Sequence, residues 1–426
     1  MIDRSVKPEV KELREIAFPE IQKTVLDNGV EVYVYDRQDI NLIRVSVVSA
    51  GGTADSKNPA TALIASLMSQ EGTRKMKGEE IAETIELNGG WIQSGSESHQ
   101  RSINVLCLSD RWKHISETVG EILWYPTFAG ELESMKSRLA AQALTNEQSV
   151  VWQASNLSNR LTFGVKHPMS QPMDSDIIKQ VERREIMDFY EHYRTPENVK
   201  IFLTGKIDDS ILSDLNEQFG KVNGKGVKWG GKDVIPFKPV NTAETAMTEM
   251  KEKLQSAIYS TIPVETEDID ELLDVRMAIF ALGGYFGSRL EQNIREEKGL
   301  TYGISSNLLN YPEGKLMLIK TECSTSYVDR VIDEIGLELS RLGECEMGED
   351  ELVRLRRAEM TNLTEIVSTP FSIMDFYKII VMRGLGVDYF EKRRRAALEI
   401  TSARIREVAE RYLSADKLIT AIAGGK

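Results

Sequence analysis

In the second half of the chain, Arg295-Glu-Glu-Lys-Gly-Leu-Thr-Tyr302 sets a guanidinium and a phenol seven residues apart. The residues before it, Ser288 to Ile294, read as helical, and Tyr302-Gly-Ile-Ser-Ser-Asn-Leu308 alternates as a strand does. A helix end and the strand that follows it can aim both side chains at one place. Both groups donate hydrogen bonds, so together they suit a peptide carbonyl or the oxyanion that develops from it. Each also has a plainer reading. Arg295 can be a solvated helix-end cation four residues after Glu291, and Tyr302 a half-buried strand aromatic in phase with Ile304 and Leu308.

The elements that would position this pair occur twice. Ile186, Tyr193 and Gly205 recur with identical spacing as Ile405, Tyr412 and Gly424, each set lying on a helix, a short turn and an apolar strand. Upstream, SINVLCLSDRWKHISETVGEIL matches KLMLIKTECSTSYVDRVIDEIGLEL, with Gly120 on Gly336, each read as strand, Ser/Thr-containing cap and amphipathic helix. The two matches fall in the same order at nearly the same offset, which points to a duplication. In the first half, Asn28-Gly29 signals a hairpin turn ahead of strands Val30 to Tyr35 and Leu42 to Ala50, with helices at Ala60 to Gln70 and Gly78 to Leu87. In the second half, Asn310-Tyr-Pro-Glu-Gly314 joins two alternating strands and helices dominate from Tyr327 onward. Lys221 to Thr242, with four glycines and two prolines, reads as a linker. The expected fold is α+β, with two similar domains, each a mainly antiparallel sheet with helices packed on one face. The expected boundaries are 1–220, a linker at 221–242, and 243–426.

Composition narrows the function. With 426 residues, 41% hydrophobic and 28% charged, the chain has the make-up of ordinary globular material. A formal charge of −13 argues against nucleic acid or an anionic membrane as partner. No run approaches the ~20 apolar residues of a membrane span, and the first 25 residues lack an apolar signal core and are too acidic for a transit peptide. Cys107, Cys323 and Cys345 form no framework, so a reduced cytoplasm is expected.

Other chemistries find little support. Of the four histidines, His99, His114, His167 and His192, no two are spaced as a chelating pair, and each reads as a surface or packing residue. Gly-x-Ser-x-Gly is absent, and Gly283-Gly284-Tyr-Phe-Gly287 lacks the Lys-Ser/Thr of a phosphate loop and reads as a helix terminator.

The Arg295–Tyr302 run resembles the Arg/Tyr substrate-binding signature of insulinase- and pitrilysin-like zinc peptidases. The first-half stretch AGGTADSKNPATALIASLMSQEGT is similar to that family's opening strand and zinc helix, with Met68 and Gly72-Thr73 in place. The resemblance runs from about Thr24 to the C-terminus. In the family the helix carries H-x-x-E-H; here the corresponding positions are Leu63, Ser66 and Leu67, so both histidines are leucine and the glutamate base is serine. Residues four apart share a helix face, which is how paired histidines chelate one ion and why two leucines make an apolar stripe instead. The family's third ligand would fall near Ala143 to Glu147, where Glu147 is the sole carboxylate, and His167-Pro168 resembles a turn the family uses structurally. One half of such a peptidase supplies zinc and base and the other supplies arginine and tyrosine, closing on an unfolded peptide. The resemblance therefore implies a non-catalytic subunit that holds no cofactor. Its Arg295 and Tyr302 would serve a zinc-bearing insulinase-like partner acting on unfolded peptides, and the chain would not be a peptidase on its own. The alternative it implies is a homodimeric peptide-binding or assembly protein, with a relocated metallopeptidase site a distant third.

Overall fold

A computed structural model describes residues 15–224, 226–230, 234–237 and 244–425. Among the described residues, eleven strands form two sheets. The first contains β1 (Gln22–Val25), β2 (Glu31–Asp36), β3 (Leu42–Ala50), β4 (Trp91–Ser96), β5 (Gln100–Leu108) and β6 (Val199–Gly205) in the order β1-β2-β6-β3-β5-β4. The second contains β7 (Glu244–Glu249), β8 (Gln255–Val264), β9 (Thr301–Tyr311), β10 (Gly314–Ser324) and β11 (Ile419–Gly424) in the order β7-β11-β8-β10-β9. Set β1 aside and the two orders are the same. In each, the last strand of the half returns to the middle of the sheet, ends at the glycine singled out by the repeat, and runs parallel to the half's opening strand: β6 beside β2, β11 beside β7. The fold is α+β, and its topology is duplicated.

Alternation along β3 explains the first core. Ile43, Val45 and Val47 are fully buried, and the register places Val45 opposite Val105 of β5 and Leu203 of β6. These side chains meet Ile81 and Ile85 of helix Gly78–Leu87, Trp112, Ile115, Val119 and Ile122 of helix Trp112–Trp124, and Leu215 and Phe219 of helix Asp209–Phe219. A second cluster joins helix Pro59–Met68 to helices Leu132–Glu147 and Arg183–Tyr193 through Ile64, Met68, Met135, Ile186 and Phe189. Helix Pro59–Met68 also lies against β4 and β5.

The expected Ser/Thr caps are not made. A short 3-10 turn separates β5 from helix Trp112–Trp124 and another separates β10 from helix Val328–Glu344, so Arg111 and Tyr327 occupy the cap positions without side-chain cap bonds. The hydroxyl of half-buried Ser109 is instead turned inward, with no partner among the described residues.

By packing, the chain divides into two compact units. One comprises Glu20–Ser260, Tyr311–Gly314 and Ile419–Lys426; the other is built mainly from Thr261–Asn310 and Lys315–Leu418. This boundary falls inside β8, whereas the strand pattern repeats from β7 onward. The difference has a physical cause: helix Val150–Phe163 lies against β7 and β11, with Ala154 buried against Ala257 and Ala423. Small side chains at that contact let helix and strands approach closely and draw β7, β11 and the start of β8 into the first unit. Residues 225, 231–233 and 238–242 of the expected linker lie outside the described residues, and the rest of 221–242 contains neither helix nor strand.

Candidate functional site

Arg295 and Tyr302 lie in the second unit on adjoining elements. Helix Ile269–Gly283 stops at Gly284, and after the loop the chain turns through Arg289 and Leu290 into a π-helical segment, Glu291–Glu297. Its wide turns show in the bonds from Lys298 N to Asn293 O (3.1 Å) and from Leu300 N to Ile294 O (2.9 Å). Such turns are uncommon and concentrate at functional sites. The segment is held from below by Asn293, whose buried amide donates to Glu334 (3.1 Å) and Glu338 (2.7 Å) on helix Val328–Glu344. Gly299 then reverses the chain into β9 at φ +61°, a conformation that strongly favours glycine.

Tyr302 departs from its plainer reading as a half-buried aromatic, whereas Arg295 keeps the ion pair of a helix-end cation. Tyr302 is 92% exposed, while Ile304 and Ser306 on the same strand face are buried. A free-standing phenol on solvent carries no packing role. Arg295 does make the i,i+4 ion pair, with Nη1 donating to Glu291 Oε2 at 3.0 Å, and its guanidinium stands 5.3 Å from the ring of Phe286, itself 73% exposed. Its pKa is raised, first by the Glu291 hydrogen bond. Glu291 does more than the spacing suggested. Its other oxygen, Oε1, accepts from Ile304 N–H at 3.2 Å, so one carboxylate holds the Arg295 head and fixes the strand two residues beyond Tyr302. Thr301 secures the strand's start through bonds to Thr321 (2.8 Å) and to the carbonyl of Glu322 (2.6 Å). Phe286 and the second bond of Glu291 were not legible beforehand, since neither follows from a spacing rule.

In the first unit, helix Pro59–Met68 starts at Asn58, whose side chain accepts from Ala60 N, with Pro59 at the first helical position. Leu63 and Leu67 share its half-buried face, and Leu67 packs against the second core cluster. Ser66 is buried, and its hydroxyl donates to Ala62 O one turn back (3.0 Å). Glu147 ends helix Leu132–Glu147 and uses Oε1 to accept Ser175 N–H at 2.7 Å, fastening the start of the short helix Ser175–Lys179. Two alkyl groups, a hydroxyl spent on its own helix and a carboxylate spent on a helix start do not fit zinc, which takes anionic or imidazole donors. No cluster of three His, Cys, Asp or Glu side chains able to hold a metal occurs among the described residues.

The histidines divide. His114 and His192 are exposed. His167 is buried in a turn, with Nε2 2.6 Å from Ile235 O and Nδ1 accepting Met169 N–H at 3.1 Å, the bonds of a neutral ring in a structural role. His99 departs from its expected surface or packing role. Its Nδ1 lies 2.9 Å from Asp55 Oδ1 and its Nε2 2.5 Å from Glu313 Oε1, all three side chains nearly buried, and Trp229 Nε1 adds a bond to Asp55 (3.2 Å). Burial alone would lower the imidazole pKa, but the two carboxylate bonds outweigh it and raise the pKa to about 9.

The fold defines a class, a duplicated α+β scaffold in which helix Pro59–Met68 offers no metal donors at Leu63, Ser66 and Leu67. Residues 180–359 match the family model described as the Peptidase M16 inactive domain. The chain is 22% identical over 330 residues to a Bacillus subtilis protein described as an uncharacterized zinc protease, YmxG, covering 76% of this chain and 78% of that one. It is 21% identical over 301 residues to a Helicobacter pylori protein described as a non-peptidase homolog, covering 65% and 68%. A solved structure described as a peptidase M16 inactive domain from Pseudomonas fluorescens superposes with a TM-score of 0.84 at 19% identity, over 96% of this chain and 99% of that one. Residues 180–359 are thus similar to the inactive domain of the M16, insulinase/pitrilysin-like peptidases, and the whole chain shares the fold of the solved inactive-domain structure. No helix among the described residues is long and apolar enough to cross a membrane.

Proposed function

We propose that this chain is a catalytically inactive, peptide-binding subunit that presents Arg295 and Tyr302 to the backbone of an unfolded peptide, while a zinc-bearing M16-type partner supplies the metal and base. The observation that carries the reading is the display of the pair: a phenol 92% exposed at the start of β9, and a guanidinium held by the same glutamate that fixes that strand. Because Glu291 already holds the guanidinium and the strand, only the Tyr302 ring has to be ordered when a carbonyl binds. In a two-chain active site, the partner's zinc-bound hydroxide would attack the carbonyl, and these two side chains would hold the backbone and the charge that develops on oxygen. The Leu63, Ser66 and Leu67 helix has no donor set for this chemistry, so the chemical step falls to the other chain.

The test uses a fluorescein-labelled unstructured 15-residue peptide and the full chain. Arg295→Ala and Tyr302→Phe are each expected to weaken capture roughly tenfold, the loss of one good hydrogen bond, with melting temperature unchanged. Addition of a zinc-bearing M16 chain from the same genome should yield chelator-sensitive cleavage that the same variants slow. Wild-type capture by both variants would refute the reading. Peptide capture that depends on the pair, with no stable complex or cleavage alongside any zinc-bearing chain, would favour a homodimeric binding protein instead.

A further inference from the structure

Beside the degenerate helix, in the first unit, lies a cavity of ≈ 30 Å³. Its walls include Ser66 and Ser69 from that helix and its end, Arg101 and Ser102 of β5, Trp124, and Arg194. The hydroxyls of Ser66 and Ser69 already donate to helix carbonyls, at 3.0 and 2.7 Å. Arg194 is balanced by Glu191 at 2.7 Å.

Arg101 is different. It is 91% buried by exposure (9% exposed), yet its Nε donates only to Gly51 O (3.2 Å), and Nη2 reaches Ala50 O at 3.5 Å. The rings of Phe189 and Tyr190 flank it at 5.2 and 5.6 Å. Among the described residues no carboxylate pairs with it, and the groups that act on its charge are tyrosines. A buried cation compensated only by carbonyl dipoles and ring faces is costly. Trp124, on the same cavity wall, has a buried indole N–H with no acceptor among the described residues. Ser102, the next residue on β5, turns to the opposite face of the sheet, where it accepts from Asn104 at 3.3 Å. The cavity thus collects an uncompensated positive charge and a spare donor, and it exceeds the roughly 10–15 Å³ that one small guest requires.

We propose that this cavity binds one small monovalent anion of the halide class, held by the Arg101 guanidinium and by the Trp124 N–H. Its volume of ≈ 30 Å³ admits chloride or bromide, whereas gluconate, with six carbons, is too large for it. The site sits beneath the helix where active relatives place their glutamate base, and in this chain Ser66 contributes wall rather than charge.

The experiment is thermal unfolding of the full chain in sodium chloride, bromide or gluconate at equal ionic strength. Chloride and bromide are expected to raise the melting temperature saturably, on the order of 2 °C, while gluconate has no such effect. Arg101→Gln abolishes the halide response, and Trp124→Phe, which conserves shape, shifts it to severalfold higher concentration. If Arg101→Gln does not fold, Trp124→Phe and an anomalous bromide peak in soaked crystals carry the decision. Identical curves in chloride and gluconate, or a cavity that holds water only in bromide, overturn the proposal.

Discussion

Replacing His99 with glutamine should remove a pH-dependent share of stability whose size can be worked from the structure. With Nδ1 facing Asp55 and Nε2 facing Glu313, the ring can serve both carboxylates only as the doubly protonated cation. Its folded pKa of about 9 exceeds the unfolded value of 6.5. A raised pKa means that the folded state binds the extra proton more tightly. The stabilisation is therefore complete below about pH 6.5 and is lost as pH climbs through 9. The full difference corresponds to about 3 kcal/mol, of which roughly 2 remain at pH 7.5. The His99 side chain is 11% exposed, so solvent screening removes little of this. Urea unfolding of the wild type and of His99→Gln at half-unit steps from pH 6 to 9.5 measures the difference between them, and other titrating groups cancel. That difference should shrink by about 3 kcal/mol across the range, and Glu313→Gln should move the midpoint of the change to lower pH. A constant difference across all pH values, or an imidazole that titrates near 6.5 by NMR, would refute the reasoning.

Glu359 has a fully buried side chain and accepts from Arg276 at 2.6 Å and Arg393 at 2.6 Å; burial would raise its pKa, but the two guanidiniums hold it below the ordinary carboxylate range. Glu359→Ala leaves two arginines without their shared anion and should cost about 3–5 kcal/mol in denaturant unfolding; a loss under 1 kcal/mol would show that the arginines find water or other acceptors instead. Restoring the metal motif with Leu63→His, Ser66→Glu and Leu67→His should still leave the purified chain without stoichiometric zinc by elemental analysis, because Glu147 is committed to Ser175 N–H and position 66 is buried; about one zinc per chain would mean that the third ligand comes free.

Much of the architecture could be read along the chain because it rests on local pattern. The helix at Gly78–Leu87, the strand at Leu42–Ala50 and the glycine ends of β6 and β11 follow from periodicity and turn chemistry, which act over a few residues. The missing donor pair was equally legible, since chelation by one helix needs donors four residues apart and Leu63 and Leu67 offer none. The placement of Arg295 and Tyr302 on a helix end and the next strand was also legible. Their display was not: Tyr302 continues the alternation of Ile304, yet nothing packs over the first residues of β9, so exposure there was decided by what the fold leaves uncovered. The second bond of Glu291, to Ile304 N–H, required the π-turn to set helix and strand side by side. His99 shows the limit most sharply. Its partners lie 44 and 214 residues away, and an ion cluster of that separation has no sequence period. The buried Arg101 is the converse case: its charge was visible, but only the folded packing reveals that no carboxylate meets it. Spacing along the chain determines what a helix or strand can offer, whereas the company a buried charge keeps is set when distant segments close around it.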